Sequence, residues 1–407
     1  MVWSIGIGGT ERAAVNYAIA YRQNGQDSKV VVLGEGKERL AELLEAGVET
    51  SFVKFDNRGQ DAVLSDLKAW KPDILHLHNF TTGLVFYIDR IKNTQTKVVE
   101  TNVFSRPNYD AAYRVVSLSM QLSDWGYWKY TKWMKDAKYV PEATVVPYVI
   151  FPNKFLSQPK KRIELFLQSH GIPAGAFVAG RLGQPHPSKW DMKILKVVEA
   201  TVCPDNMIYY LFAGMPTNII QELKNKSAFV QSRVKLIEMI EGDQNLSLFY
   251  HSLNCFTHIS KIGESFGYVL AEALMCGVPV ITMLTPFNDN AQLEVVGNNH
   301  GGLCVTSTKK FIAAVKQLYN YPKDCSRIKN NLAMNWISSR FSADAVIPKQ
   351  INCYRQLLNG AKITPLNVDD QVKQSFTLYG MHNEIGYFFL KFFNSRSAFR
   401  FLKWVKK

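Results

Sequence analysis

Three features of the sequence predict an α/β protein of two domains, each built on a parallel sheet. Short runs rich in Val, Ile and aromatic residues alternate with amphipathic segments of helical period, which is the pattern of βαβ units. The runs are apolar throughout, as suits strands covered by helices on both faces. The alternation starts twice, on either side of "VIFPNKFLSQPKKR" (Val149–Arg162), a Pro-, Lys- and Asn-containing stretch with linker character.

In the first half, "KVVVLG" (Lys29–Gly34) is a β-branched run stopped by Gly, and "RLAELLEAG" (Arg39–Gly47) is an amphipathic helix with a Gly stop. "TSFVKF" follows as a strand, "AVLSDLKAW" as a helix, "DILHLH" (Asp73–His78) and "TKVVET" (Thr96–Thr101) as strands. In the second half, "FVAGRLG" (Phe177–Gly183) is a strand entering a loop, "MKILKVVEAT" a helix, and "MIYYLFAG" (Met207–Gly214) a strand ended by Gly. "SLFYHSLNCFTHIS" reads as a helix and then a strand from about Cys255. "SADAVIPKQINCYRQLL" (Ser342–Leu358) opens on a cap-like Ser and carries apolar residues at helical spacing, with a kink expected at Pro348. The expected organisation is a first domain over 1–150, a linker over 151–170, a second domain over 171–341, a helix over 342–360 and a tail over 361–407.

The chain has 407 residues and a formal net charge of +14, with a pI near 9.3. Apolar and charged fractions are those of a globular protein, which excludes wholesale disorder. The basic excess favours polyanionic or phosphorylated partners over a merely self-repelling surface only if it clusters. It does so in "IGYFFLKFFNSRSAFRFLKWVKK" (Ile385–Lys407), which holds eight aromatics, six Lys or Arg and no acid. That composition fits an interfacial helix on anionic lipid better than the alternative, core packing on the first domain. Tyr127, Trp128, Tyr130 and Trp133 in "DWGYWKYTKWMK" are expected to add to the same surface or to line an acceptor groove. The six cysteines are scattered, with no C-x-x-C, as for reduced thiols in the cytosol. No leader pattern is visible, and no apolar stretch reaches the roughly 18 to 20 residues of a spanning helix.

The chemistry concentrates in "GESFGYVLAEALMCGVPVIT" (Gly263–Thr282). Phe266-Gly267 precedes a helical run from Tyr268 to Cys276, and a helix start offers free amides and partial positive charge to an anion. Gly267 lets a ligand approach the backbone. Glu264 stands in the loop and Glu272 lies eight residues on, near the same side of the helix. Two carboxylates flanking an anion-binding turn suit hydroxyl-rich rings on either side of a phosphate, which is the layout of a nucleotide sugar. Against this stands a surface acid at Glu264 and a solvated helix residue at Glu272. The apolar neighbours of Glu272 make the latter the weaker alternative.

This string resembles the E-x7-E signature of the family 4 retaining glycosyltransferases, which have the GT-B fold: two Rossmann-like domains facing a central cleft, with a C-terminal crossover helix. The resemblance implies that Glu264 contacts donor-sugar hydroxyls, that Glu272 holds the ribose, and that the turn amides of Phe266, Gly267 and Tyr268 meet sugar and phosphates. "AGRLGQPHPSKW" is similar to the family's strand end with a following Lys, which casts Arg181 and Lys189 as the diphosphate clamp; ordinary surface cations are the alternative. "GIGGTERAAVNYA" resembles the family's N-terminal glycine loop, with Gly8 and Gly9 in the cleft. Only Val2 to Ile5 precede it, where a full strand is usual, as if the sheet edge were trimmed or the start late. "DILHLHNF" puts His78 at a strand end, either contacting donor sugar or acceptor or simply satisfied there, with His76 structural. Asp289, Asn290 and Gln292 form a polar loop at the same sheet end as the E-x7-E string. Tyr148 stands where the family has Asn.

The expectation is a metal-independent, retaining hexosyltransferase with no cofactor and no metal ligands. It would take a nucleoside-diphosphate sugar and a glycan or lipid-linked acceptor, in cell-surface polysaccharide synthesis. No nucleic-acid partner is expected. The setting is cytoplasmic, peripheral on the inner membrane face. A GT-B-like nucleotide-sugar epimerase and a non-catalytic basic protein binding membrane or nucleic acid are the alternative readings.

Overall fold

A computed structural model describes residues 1–53, 57–78, 95–109, 111–135, 137–285, 288–297, 300–320 and 323–372. The basic aromatic segment 385–407 lies outside the described residues. Contacts divide the chain into two units: Met1–Val149 with the segment from Ala343 on, and Ile150–Ser342.

In the first unit, β1 (Lys29–Val32) pairs in parallel with β2 (Glu49–Phe52). A four-stranded parallel sheet runs in the order β3 (Ile74–His78), β4 (Lys97–Thr101), β5 (Val116–Gln121), β6 (Glu142–Val145). Met1 and Val2 join the two. Val2 bridges Val32, with Val2 N donating to Val31 O at 3.0 Å, and His78 N donates to Met1 O at 3.0 Å on the other side. The opening residues therefore lie inside the sheet and not at a trimmed edge. Helix α1 (Gly9–Gln23) is tied below by Asn16, whose Nδ2 donates to Val149 O at 2.8 Å, and by Tyr17, whose hydroxyl donates to Pro147 O at 2.8 Å.

Helices α2 (Leu40–Glu45) and α3 (Asn57–Trp70) complete the first half of this unit. Helix α4 (Asp124–Met134) starts where the Ser123 hydroxyl accepts from Gly126 N at 2.9 Å, an N-cap. Its aromatics depart from expectation. Trp125, Tyr127 and Trp128 are buried against Val368 and Val372, and the Tyr127 hydroxyl accepts from Leu366 N at 3.1 Å. Tyr130 is buried in the main core of this unit. Covering large rings with the chain's own residues removes apolar area from water, so Tyr127, Trp128 and Tyr130 are core and not a lipid or acceptor surface.

The second unit carries a six-stranded parallel sheet: β7 (Phe177–Leu182), β8 (Ile208–Ala213), β9 (Val234–Ile237), β10 (Cys255–His258), β12 (Val280–Met283) and β14 (Gly302–Val305), in the spatial order β14-β12-β10-β7-β8-β9. The chain runs outward from β7 through β8 to β9, then returns to the other side of β7 at β10. This reversal leaves a crevice outside the carboxyl ends of β7 and β10, where open α/β sheets bind ligands. Trp190, Ile194, Val198, Tyr210, Phe212 and Phe311 fill one core of the unit. Where the sequence suggests a linker, residues 151–170 carry a 3-10 turn (Pro152–Phe155) and helix α5 (Lys160–Ser169). Phe155 is buried, and Lys154 pairs with Asp243 at 2.9 Å, which binds the segment to this unit.

Helices α6 (Lys193–Thr201), α7 (Thr217–Lys224), α8 (Ala228–Ser232), α9 (Asp243–His251), α10 (Tyr268–Met275), α11 (Gln292–Val296), α12 (Thr308–Tyr319) and α13 (Lys323–Phe341) connect and cover the strands. Helix α14 (Ala343–Leu358) runs through Pro348 and packs on α1 in the first unit, with the Tyr21 and Tyr354 hydroxyls 3.0 Å apart. Among the described residues no helix is long and apolar enough to cross a membrane.

Candidate functional site

Beyond the end of β10 the chain turns at Gly263, whose φ is +67°. A Cβ there would collide with the Asp289 carbonyl oxygen, so the turn requires glycine. Gly263–Glu264 (β11) then pairs with Asp289–Asn290 (β13). Ala291 N donates to Glu264 O at 3.0 Å, Glu264 N donates to Gln292 Oε1 at 3.2 Å, and the Ser265 hydroxyl donates to Asp289 Oδ2 at 2.6 Å. The polar loop named in the sequence thus braces the Glu264 backbone.

The Glu264 side chain is held at both oxygens. Lys189 Nζ lies 3.1 Å from Oε2, and His258 Nε2 lies 3.1 Å from Oε1. Burial pushes this carboxyl up, but Lys189 and His258 outweigh it and bring it down to about 2. It is an anion at neutral pH. Burial, helped by the Arg181 charge, lowers His258 to about 4, so its imidazole is neutral at pH 7. A neutral ring donates from one nitrogen only. The carboxylate can only accept, which puts the proton on Nε2 and leaves Nδ1 to accept from the Thr282 hydroxyl at 3.1 Å.

Arg181 ends β7 with a relative exposure of 1%. Its guanidinium lies over the Trp190 ring at 4.4 Å and donates to the Lys189 carbonyl. Nε and one terminal nitrogen are buried with no partner. Burial lowers Arg181 to about 10, so the cation persists at pH 7. A buried guanidinium with unmet donors is matched to an anion with several acceptor oxygens.

Helix α10 begins at Gly267, an N-cap with φ +94°. The Phe266 side chain packs on Phe341 and Tyr268, each at 5.3 Å between ring centroids, so a ligand at this turn would meet backbone at Phe266. Helix α10 is buried almost all round. Glu272 sits within it at 3% exposure, its Oε2 accepting from the Tyr250 hydroxyl at 2.8 Å. A partner from α9 explains how an acid is tolerated among Leu270, Ala271, Ala273 and Leu274.

Gly8, Gly9 and His78 belong to the other unit. Gly8 caps α1 in an extended conformation, and a Cβ there would run into the Glu11 carboxylate. His78 closes β3, buried, 4.1 Å from His76 between ring centroids, with no partner for Nδ1. Burial and the neighbouring His76 hold His78 well below the usual histidine range, so its ring is neutral. His76 is 2.8 Å from the Thr101 hydroxyl and 3.3 Å from that of Tyr21, a satisfied interior position.

Residues 208–333 match the family model of glycosyl transferases group 1. HepE from Anabaena, crystallised with UDP and glucose, superposes with a TM-score of 0.67 at 17% identity, over 87% of this chain and 98% of that one. A glycosyltransferase from Rickettsia africae gives 0.71 at 14% identity, over 88% and 97%. WaaG, a glycosyltransferase involved in lipopolysaccharide biosynthesis, gives 0.56 at 14%, over 86% and 98%. The fold is GT-B. No curated protein sequence matches the chain significantly. In this GT-B chain the family match takes in Glu264 and Glu272 and leaves Arg181 and Lys189 outside it.

The GT-B structure brings Arg181, Lys189 and Glu264 together at one sheet end. It adds residues the sequence did not single out: His258, Thr282, Trp190 and Tyr250. The available signal was a polar residue closing an apolar strand, as in "CFTH", the same signal that drew attention to His78.

Proposed function

We propose that this protein is a retaining, metal-independent glycosyltransferase that moves a hexose from a nucleoside-diphosphate sugar to a glycan or lipid-linked acceptor. The observation that carries the reading is the buried Arg181 guanidinium with unmet donors, beside the Lys189–Glu264 pair at the crevice of the β7–β10 reversal.

Arg181 and Lys189 would neutralise the diphosphate, with the start of α10 adding its dipole. Glu264, anionic and braced, would accept hydrogen bonds from sugar hydroxyls, and Glu272 from the ribose. In transfer the bond from the anomeric carbon to the phosphate oxygen breaks. The acceptor oxygen bonds to the same face of that carbon, and its proton passes to the departing diphosphate. Charge grows on the diphosphate as this happens, so fixed cations there lower the barrier more than they tighten ground-state binding. They fill the role a metal would otherwise serve. HepE has been crystallised with UDP-glucose, and WaaG belongs to lipopolysaccharide biosynthesis. A uridine donor and a cell-surface polysaccharide or lipid acceptor, used on the cytoplasmic membrane face, are therefore the first to test.

The test is a thermal-shift panel of UDP, GDP, ADP and their sugars, followed by radiolabelled transfer into lipid and glycan extracts with and without EDTA. One nucleoside diphosphate should raise Tm, and label should leave the donor only when acceptor is present. No stabilisation by any nucleotide, or donor consumption without acceptor, would overturn the reading.

A further inference from the structure

His258 takes no part in the transfer chemistry set out above, yet it occupies a costly position. It closes β10 at 1% exposure, where an apolar residue would pack without needing partners for two ring nitrogens. Both nitrogens are engaged, and on opposite sides. Thr282, the third residue of the adjacent strand β12, lies 3.1 Å from Nδ1, and Glu264 lies 3.1 Å from Nε2. His258 and Thr282 are register partners in the β10–β12 ladder, so this side of the chain is built into the sheet.

We propose that His258 is a positioning residue for donor-sugar recognition: a Thr282–His258–Glu264 chain of hydrogen bonds fixes the Glu264 carboxylate in the orientation that receives the sugar hydroxyls. The proposal rests on the glycosyltransferase reading of the site and deepens it. Its physical content lies in the loaded state. Without donor, Glu264 has two side-chain partners, Lys189 and His258. A diphosphate competes for Lys189, whose side chain is 32% exposed and within reach of a ligand. His258 is rigid in the sheet and has no such alternative. Once the donor is bound, the imidazole is the partner that still defines where Oε1 points. The charged groups around the ring are Glu264 itself, Lys189 and Arg181; burial, helped by the two cations, keeps it neutral against the pull of Glu264. Glu264, which can only accept, holds the proton on Nε2, and Thr282 supports that tautomer by donating to Nδ1.

The chain of bonds predicts a pattern that simple core packing does not. His258→Leu should lower kcat/KM for the sugar donor by about 10- to 100-fold, the usual cost of losing an orienting partner. The affinity for the free nucleoside diphosphate, measured by calorimetry, should stay the same. His258→Gln can place an amide N–H near Nε2 and should recover most of the loss. His258→Asn reaches only toward Thr282 and should not. Thr282→Val, nearly isosteric, should show a smaller loss of the same kind. Melting temperatures of the four variants identify any that fail through folding, and the Gln-against-Asn comparison stands without the Leu variant.

If His258→Leu keeps wild-type kcat/KM while Glu264→Ala is inactive, the proposal fails and the site reading survives. If Gln and Asn lose activity equally at equal Tm, or if nucleoside diphosphate affinity falls in step with donor affinity, His258 is packing only. Wild-type transfer by Glu264→Ala would sink the site reading itself, and the proposal with it.

Discussion

Lys189 Nζ and Glu264 Oε2 meet at 3.1 Å although 75 residues separate them. The pair is mostly shielded, with the Glu264 side chain 13% exposed and that of Lys189 32%. Burial alone would raise the Glu264 carboxyl, and the Lys189 charge is the largest force holding it down to about 2.

Lys189→Ala should therefore do two things. Loss of a cation at the departing diphosphate should lower kcat by about 100-fold, the scale of one removed charge-stabilising donor. It should also change the pH profile. A wild-type carboxylate near 2 stays ionised at every working pH, so Glu264 gives the wild type no acidic limb. With Lys189 gone, desolvation is opposed by less, the Glu264 pKa rises, and activity falls as pH drops through the new value. The rate of the variant from about pH 5 to 8 checks this. A pH profile parallel to that of the wild type would remove Lys189 as the controlling charge.

Arg181 offers a trade between stability and binding. Two of its nitrogens are buried and unpartnered, which costs the ligand-free fold about 1–3 kcal/mol. Arg181→Met keeps an apolar stem over Trp190 and removes that cost. The ligand-free variant should melt at or above the wild-type temperature, and the stabilisation by nucleoside diphosphate should disappear. Arg181→Lys should not restore it, because an ammonium lacks the planar fork. Differential scanning fluorimetry with and without nucleotide measures both effects. A large drop in ligand-free Tm for Arg181→Met would mean that the guanidinium is structural.

The two αβ domains were legible because strand and helix periods are local properties of the chain. "DILHLH" and "TKVVET" contain β3 and β4 within one residue at their starts. The α4 aromatics were misread because their cover comes from far along the chain: Leu366 N reaches the Tyr127 hydroxyl across 239 residues. A Trp- and Lys-rich helix has the same composition whether its own chain or another surface covers it. The Glu264 loop was visible as a motif, but its His258 partner closes β10, and no spacing rule links that histidine to it. Arg181 was named as a cation, whereas its burial over Trp190 is a tertiary fact.

Gly263 is the hinge that aims Glu264. Its φ of +67° and the Asp289 carbonyl facing the absent Cβ leave no room for alanine. Gly263→Ala should separate β11 from β13 and release the Glu264 backbone from Ala291 and Gln292. A stability loss of about 2–3 kcal/mol is expected from strain and collision together. Donor kcat/KM should fall further than stability alone explains, because Glu264 moves. Chemical denaturation with donor kinetics on the folded fraction separates the two, and an unchanged kcat/KM would deny Gly263 any role in aiming the acid.

Glu100 gives the first unit a pH-dependent stability. The residue lies in β4 at 2% exposure, with the Tyr113 hydroxyl donating to it and the Ser119 hydroxyl donating at 2.6 Å. Burial raises its carboxyl from 4.5 to about 7, against the pull of those two hydroxyls. Between those values the unfolded chain has released a proton that the folded chain keeps. The folded state thus binds more protons, and its stability falls as pH rises through this window, levelling off above about 7. The whole effect is at most about 3–4 kcal/mol, at about 1.4 kcal/mol per pH unit. Glu100→Gln cannot ionise and has no such dependence, while its carbonyl still accepts from the two hydroxyls. The difference in unfolding free energy, variant minus wild type, should therefore climb between about pH 5 and pH 7.5 and then flatten. Urea unfolding of the two proteins across that range measures it. A constant difference would show that Glu100 titrates alike in the folded and unfolded chains, and that the two hydroxyls donating to it stabilise the carboxylate as well as water does.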